Sequence, residues 1–185
     1  MMWIVLLIIL AIVAWIVLVY NGLITAKNRT DEAWSDIDVQ LKRRHDLIPN
    51  LLATVQGYAS HESAVFTKVT EARSQAMQAK SIDEKIAAEN QLMGTMKSLF
   101  AVAENYPDLK ANTNFLQLQT ELADTENKVQ ASRRFYNGNV RDFNTKLQVF
   151  PTNMIGGFLK FTAYKFFEAA EEDKAVPTVS FNQQS

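Results

Sequence analysis

The sequence predicts an all-α protein: an N-terminal transmembrane helix followed by an elongated antiparallel bundle of about four helices. Three observations carry this. Met2 to Tyr20 is an uncharged, apolar run of nineteen residues. Beyond it, apolar residues recur at steps of three and four, with no competing alternating pattern. The chain of 185 residues holds only four prolines and six glycines, and is rich in Ala, Leu, Gln, Glu and Lys, a helix-favouring balance.

The first segment, residues 1–22, reads as a membrane anchor. A helix of that length, rising about 1.5 Å per residue, crosses a hydrocarbon core of about 30 Å with little slack. The run lacks a basic n-region, is too long for a signal peptide's apolar stretch, and has no small-residue cleavage pattern after Tyr20, so it is expected to stay uncleaved. Trp3 and Tyr20 stand where interfacial aromatics belong. No Lys or Arg precedes the span, whereas Lys27 and Arg29 follow it. The positive-inside rule then puts the N-terminus outside and the bundle in the cytoplasm.

Residues 23–150 read as the long-helix antiparallel bundle. Trp34, Ile37, Leu41, Ile48, Leu52 and Val55 make one stripe, with Arg44 and His45 at its missing turn. Pro49 has no amide hydrogen and crowds the carbonyl of His45, so the helix must kink or be re-paired locally. Gly57 weakens it again, leaving one bent helix or a break near 57–61. Val69, Ala72 and Ala76 continue the pattern to about residue 79. Ser81 and Glu84 form a capping box at a new helix start. Ile82, Ile86, Met93, Met96, Phe100 and Ala103 then share a stripe that should end before Tyr106-Pro107. The longest pattern follows, from Phe115 through Leu122, Val129, Tyr136 and Phe143 to Phe150. Such repeating spacing means long helices packed at shallow angles.

Residues 151–172 read as an aromatic-rich short helix, with five aromatics between Gly156 and Phe167. It either caps the bundle or touches the membrane. In the second case the contact residues are Phe158, Lys160, Phe161, Lys165 and Phe166, the lysines snorkelling to headgroups. The acidic run Glu168, Glu171, Glu172 and Asp173 limits that contact. Residues 173–185 read as an extended or disordered tail, whose Val179 and Phe181 could dock in a groove.

Composition and motifs exclude much chemistry. Without cysteine there are no disulfides, thiol nucleophiles or cysteine-bound zinc. Two histidines, His45 and His61, neither in a Glu-x-x-His spacing, rule out a di-metal carboxylate bundle. Phosphate-cradling and nucleophile-elbow motifs are absent. No catalytic residue, metal or cofactor is expected. A net charge of −1 gives no field for nucleic acid, and Lys42-Arg43-Arg44 is flanked by Asp38 and Asp46.

Two polar knots remain. Arg43, Arg44, His45, Asp46 and Asn50 crowd two turns of the first long helix. Glu126, Arg133, Arg134, Tyr136 and Asn137 crowd another far along the chain. They are expected to form a polar seam that fixes helix register, with Asp46 reaching an arginine at 133–134, or else a surface for a partner protein. The bilayer, through residues 2–20, and an unidentified protein partner or further copies of the chain are the expected associates.

The strings "IDVQLKRRHDLIPNL", "ENYPDLKANTNF", "RRFYNGNVRDFN" and "FPTNMIG" are specific, and together with the apolar leader they resemble the LemA family of bacterial membrane proteins over nearly the whole chain. The resemblance implies one N-terminal membrane helix in the bacterial inner membrane and a cytoplasmic bundle dominated by two long helices. It implies no established enzyme activity. Some relatives are associated with building membrane organelles, and others accompany membrane proteases or stress functions. The functional expectation is a non-enzymatic, membrane-anchored scaffold or adaptor, with a self-assembling membrane-shaping protein as the alternative.

Overall fold

The protein's structure, a computed structural model, describes residues 1–167. The expected acidic run and tail lie outside the described residues. α1 runs unbroken from Met2 to Gln56, so one helix is both the apolar N-terminal span and the first strut of the bundle. Its residues up to Leu18 are exposed, and the first fully buried one is Leu23. α2 (Ser63–Gln78), α3 (Ile82–Glu104), the single turn α4 (Pro107–Lys110), α5 (Thr113–Gln148) and the short α6 (Thr152–Phe158) follow.

α1 and α5 lie antiparallel along their length. Gly22 meets Lys146, Trp34 meets Tyr136, Arg44 meets Glu126, and Tyr58 meets Asn112. α2 and α3 form a hairpin laid on this pair, α3 running parallel to α1. From Gly22 to Gln56 the rise is about 50 Å. The bundle is therefore elongated and places its α1–α2 and α4–α5 turns far from the apolar span.

The local signals explain the element ends. Ser81 Oγ accepts from Glu84 N at 3.2 Å while the Glu84 carboxylate accepts from Ser81 N at 3.1 Å, the reciprocal capping box. Asn112 caps α5 by accepting from Phe115 N at 3.0 Å. The first soluble helix breaks after Gln56. At Pro49 the helix is re-paired rather than interrupted: the His45 carbonyl, denied its usual amide, accepts from Arg73 Nε of α2 at 2.7 Å.

Two expectations are corrected. Among the described residues the aromatic segment is helical over Thr152–Phe158, and residues 161–167 run on without helix or strand. The reversal is a Schellman ending: Phe161 N donates to the Gly156 carbonyl and Lys160 N to that of Gly157, with Lys160 left-handed at φ 57°. α3 also turns one residue away from the expected stripe. It buries Glu89, Leu92, Met96, Leu99 and Ala103, leaving Met93 and Phe100 at the margin.

The core has two parts. A distal cluster gathers Ile48, Leu51, Leu52, Val55, Phe66, Val69, Leu92, Met96, Leu99 and Phe115. A proximal cluster, nearer the apolar span, gathers Ala33, Ile37, Leu41, Val129, Tyr136, Val140 and Phe167, with Trp34, Ile86 and Tyr164 against it. Phe150, expected to end the α5 stripe, is exposed instead.

Replacing Arg73 by Met should cost about 1–3 kcal/mol, because it leaves a buried carbonyl unpaired. In a Pro49→Ala background, where the amide returns, chemical denaturation should show most of that cost gone. An equal cost in both backgrounds would place the role of Arg73 elsewhere.

Candidate functional site

The two core clusters are separated by a charged layer. Arg44 of α1 is almost completely buried and lies between two carboxylates. Its Nη2 donates to Glu89 of α3, and its Nη1 donates to Glu126 of α5 at 2.6 Å. Met93 Sδ lies 3.3 Å from the same Nη1. His45 Nε2 donates to the other oxygen of Glu89 at 2.7 Å. Glu89 therefore binds both polar residues that interrupt the α1 stripe. Burial opposes its ionisation, but the His45 hydrogen bond and the charge of Arg44 outweigh burial, and the carboxyl sits below its ordinary 4.5.

Other members of the first knot sit elsewhere. Asp46 does not reach an arginine across the bundle. It pairs with Lys42 one turn away at 2.7 Å, in solvent. Arg43 approaches Asp124 at 3.9 Å on the exposed surface, and Asn50 is exposed. The cross-helix pairing is instead Arg44–Glu126. Shallow cavities flank the layer, one of about 300 Å³ beside His45, Asp46, Asp38 and Lys85, the other of about 260 Å³ beside Arg44, Gln130, Arg133 and Phe167. Among the described residues no group of three or more His, Asp or Glu is arranged to hold a metal ion.

The second knot has a different task. Asn137 and Asn144, seven residues apart on α5, each grip one residue of the extended segment twice. Asn144 donates from Nδ2 to the Tyr164 carbonyl at 2.9 Å and accepts from Tyr164 N at 3.0 Å. Asn137 does the same for Phe167, at 2.9 and 2.8 Å. The spacing fits, since seven helical residues rise about 10.5 Å and three extended ones about 10 Å. Tyr136 adds a bond from its hydroxyl to the Lys165 carbonyl at 2.9 Å. Burial first, then the nearby Tyr164 and Asp31, push that phenol up to about 12, so it remains a donor across the physiological range.

The side chains of this strap close the proximal core. Phe167 packs on Trp34 and lies under the Arg133 guanidinium, 4.5 Å from the ring centre. Phe161 and Tyr164 meet Phe143 edge-on. The Tyr164 hydroxyl donates to Asp31, whose other oxygen accepts from Lys27. Lys165 pairs with Asp83. Arg134 and Phe166 are exposed, and so are Phe158 and Lys160 back toward the apolar span.

The functional polar residues that sequence reasoning missed are Glu89, Arg73 and Asn144. Glu89 carried a signal: it lies one turn before Leu92, in phase with Met96, Leu99 and Ala103. Asn144 is two turns beyond Asn137 on the same face of α5, but its partner is main chain and leaves no side-chain pattern.

An apolar N-terminal helix of membrane-spanning length, continuous with an antiparallel bundle cinched by an ionic layer and closed by a strap, defines a membrane-anchored helical-bundle protein. The chain belongs to the LemA family, whose model matches residues 33–181. It is 30% identical to Protein LemA of Metamycoplasma hominis over 83% of this chain and 71% of that protein. It is also similar to Magnetosome protein MamQ 2 of Paramagnetospirillum magneticum, at 22% identity over 86% of this chain and 68% of that one. Magnetosome protein MamQ of Magnetospirillum gryphiswaldense is 20% identical over 85% and 67%.

Removing one partner from a buried ion pair strands the other, so Glu89→Leu should cost about 3–5 kcal/mol by denaturant titration. Arg44→Met with Glu89→Leu should cost clearly less than the sum of the two single changes. The pH dependence follows from the lowered pKa of Glu89. The stability it supplies is complete above pH 4.5 and is lost as pH falls below that value through the folded-state pKa. Glu89→Gln should therefore be less stable at neutral pH and show a shallower loss of stability on acidification than the parent.

Proposed function

We propose that this protein is a non-enzymatic, membrane-anchored helical scaffold or adaptor, holding a rigid bundle at the bilayer and offering its helical faces to a protein partner. The observation that carries this is the continuity of α1, which passes from the apolar span into both core clusters without a break. Position at the membrane is thereby transferred to surfaces about 50 Å away. The polar groups support the same reading, because they are committed to one another. Glu89 is shared between Arg44 and His45, the Nε2 of His45 is spent on Glu89, and Asp46 points into solvent beside Lys42. A reaction centred on His45 and Asp46 would need both aimed at one substrate atom.

Large apolar side chains exposed on the bundle are the natural contact points: Val39 on α1, Met77 on α2, and Leu116 and Phe135 on α5. Lys27 and Arg29, following the span, support a bundle on the cytoplasmic side of a bacterial inner membrane. The alternative, a self-assembling membrane-organising protein, draws support from the relatives named as magnetosome proteins.

The test is in-cell crosslinking from a photoreactive residue placed in turn at Val39, Met77, Leu116 and Phe135. A discrete adduct with one foreign protein is the result expected of an adaptor. Adducts with further copies alone would replace that reading by the self-assembling one. Lipid adducts alone, or none, would remove both.

A further inference from the structure

The proximal end of the bundle carries an apolar surface that no part of the described chain covers. Phe150, Met154 and Phe158 are 77%, 67% and 86% exposed, and they recur every four residues through the α5–α6 turn and α6. Val149 and Leu159 extend the patch at its edges. Such large side chains grouped on one face are unusual for a surface that meets only water.

The position of this face identifies its occupant. α6 lies back on the last turns of α5, so closely that a Cβ at Gly156 would come within 2.9 Å of Leu147 Cδ2. That stretch of α5 is fixed against α1, since Lys146 Nζ reaches the Gly22 carbonyl at 3.4 Å. Gly22 is two residues beyond Tyr20, where the apolar span ends, and α6 touches α1 as well as α5. The exposed patch is therefore held near the level where α1 leaves the hydrocarbon. Charge agrees with this placement. From Phe143 to Phe167 the chain has Lys146, Lys160 and Lys165 and no Asp or Glu.

We propose that Phe150, Met154 and Phe158 form a second membrane contact, seated in the headgroup–acyl boundary beside α1, with Lys146 and Lys160 at headgroup level. Of the aromatic segment, Phe158 and Lys160 belong to this contact. Phe161 is turned onto Phe143 and Lys165 is paired with Asp83, so they belong to the strap. Anchor and seat together fix the rotation of the bundle about α1, which a single helix could not do. The proposal rests on α1 crossing a bilayer and not on the scaffold reading.

The absence of native cysteine makes a direct test simple. Asn153, exposed beside the patch, is replaced by Cys in the full-length protein and labelled with an environment-sensitive fluorophore. Phe135→Cys on the exposed face of α5 serves as the distant control. In phosphatidylcholine nanodiscs, lipids carrying a quencher near the headgroup should quench the label at 153 several-fold more than the label at 135. Changing Phe150, Met154 and Phe158 together to Ser should lower quenching at 153, with helicity by circular dichroism unchanged. Quenching at 153 left unchanged by the triple variant would mean that α1 alone holds this end near lipid and would overturn the seat. Equal quenching at 153 and 135 with the patch intact would also overturn the proposal, whatever the triple variant does. So would a label shielded from lipid because two copies crosslink through this face.

Discussion

The structure depends on one buried guanidinium. Arg44 lies where three helices meet, and its charge is tolerable there only with carboxylates in bonding range. Glu89 comes from α3 and Glu126 from α5, so the requirement binds three segments far apart in sequence to one height. A slip of either helix by one turn, about 5.4 Å, would strand the charge. Apolar side chains above and below could repack after such a slip at modest cost; this layer could not. A layer of this geometry favours one register over its neighbours, the best-attested use of buried polar groups in helical bundles.

The layer also divides the molecule into regions built differently. On its distal side α1, α2, α3 and α5 make a four-helix core. On its proximal side α2 is absent, because sixteen residues are too few to follow α1 down to Leu23. The space is filled by an extended strap, which brings aromatic mass but also unpaired amides and carbonyls. The asparagine rungs on α5 supply the missing hydrogen bonds at a pitch that matches extended chain. The two polar knots thus differ in what they contact: Arg44 and His45 of the first bind carboxylates on neighbouring helices, while Tyr136 and Asn137 of the second hold non-helical chain against α5.

What was legible in the sequence follows from which forces leave a periodic trace. The α1 span, the Ser81–Glu84 box and the α5 stripe from Phe115 to Phe143 were legible because propensity, capping and burial act together there. The phase of α3 was misread because Met93 and Phe100 are apolar and stand at helical spacing, while the true face opens with a carboxylate. The helix expected over the aromatic segment rested on its five aromatics between Gly156 and Phe167, a density that leaves no trace of where α6 ends at Phe158. Arg73 on the His45 carbonyl and Asn144 on Tyr164 were invisible, since their partners are main-chain atoms that any residue would provide.

The connection between span and bundle is the last constraint. At Gly22 nothing lies within 4 Å of a would-be Cβ, so its small size is not demanded by packing, and glycine inside a helix costs about 1 kcal/mol relative to alanine. The helix is thus locally weakest between its membrane part and its bundle part. It is reinforced there from the side: Lys146 reaches the Gly22 carbonyl, and Leu23, the next residue, is 1% exposed. Bending α1 at Gly22 would have to break that bond and uncover Leu23. Rigidity at the membrane boundary therefore comes from contact with α5 rather than from helix propensity.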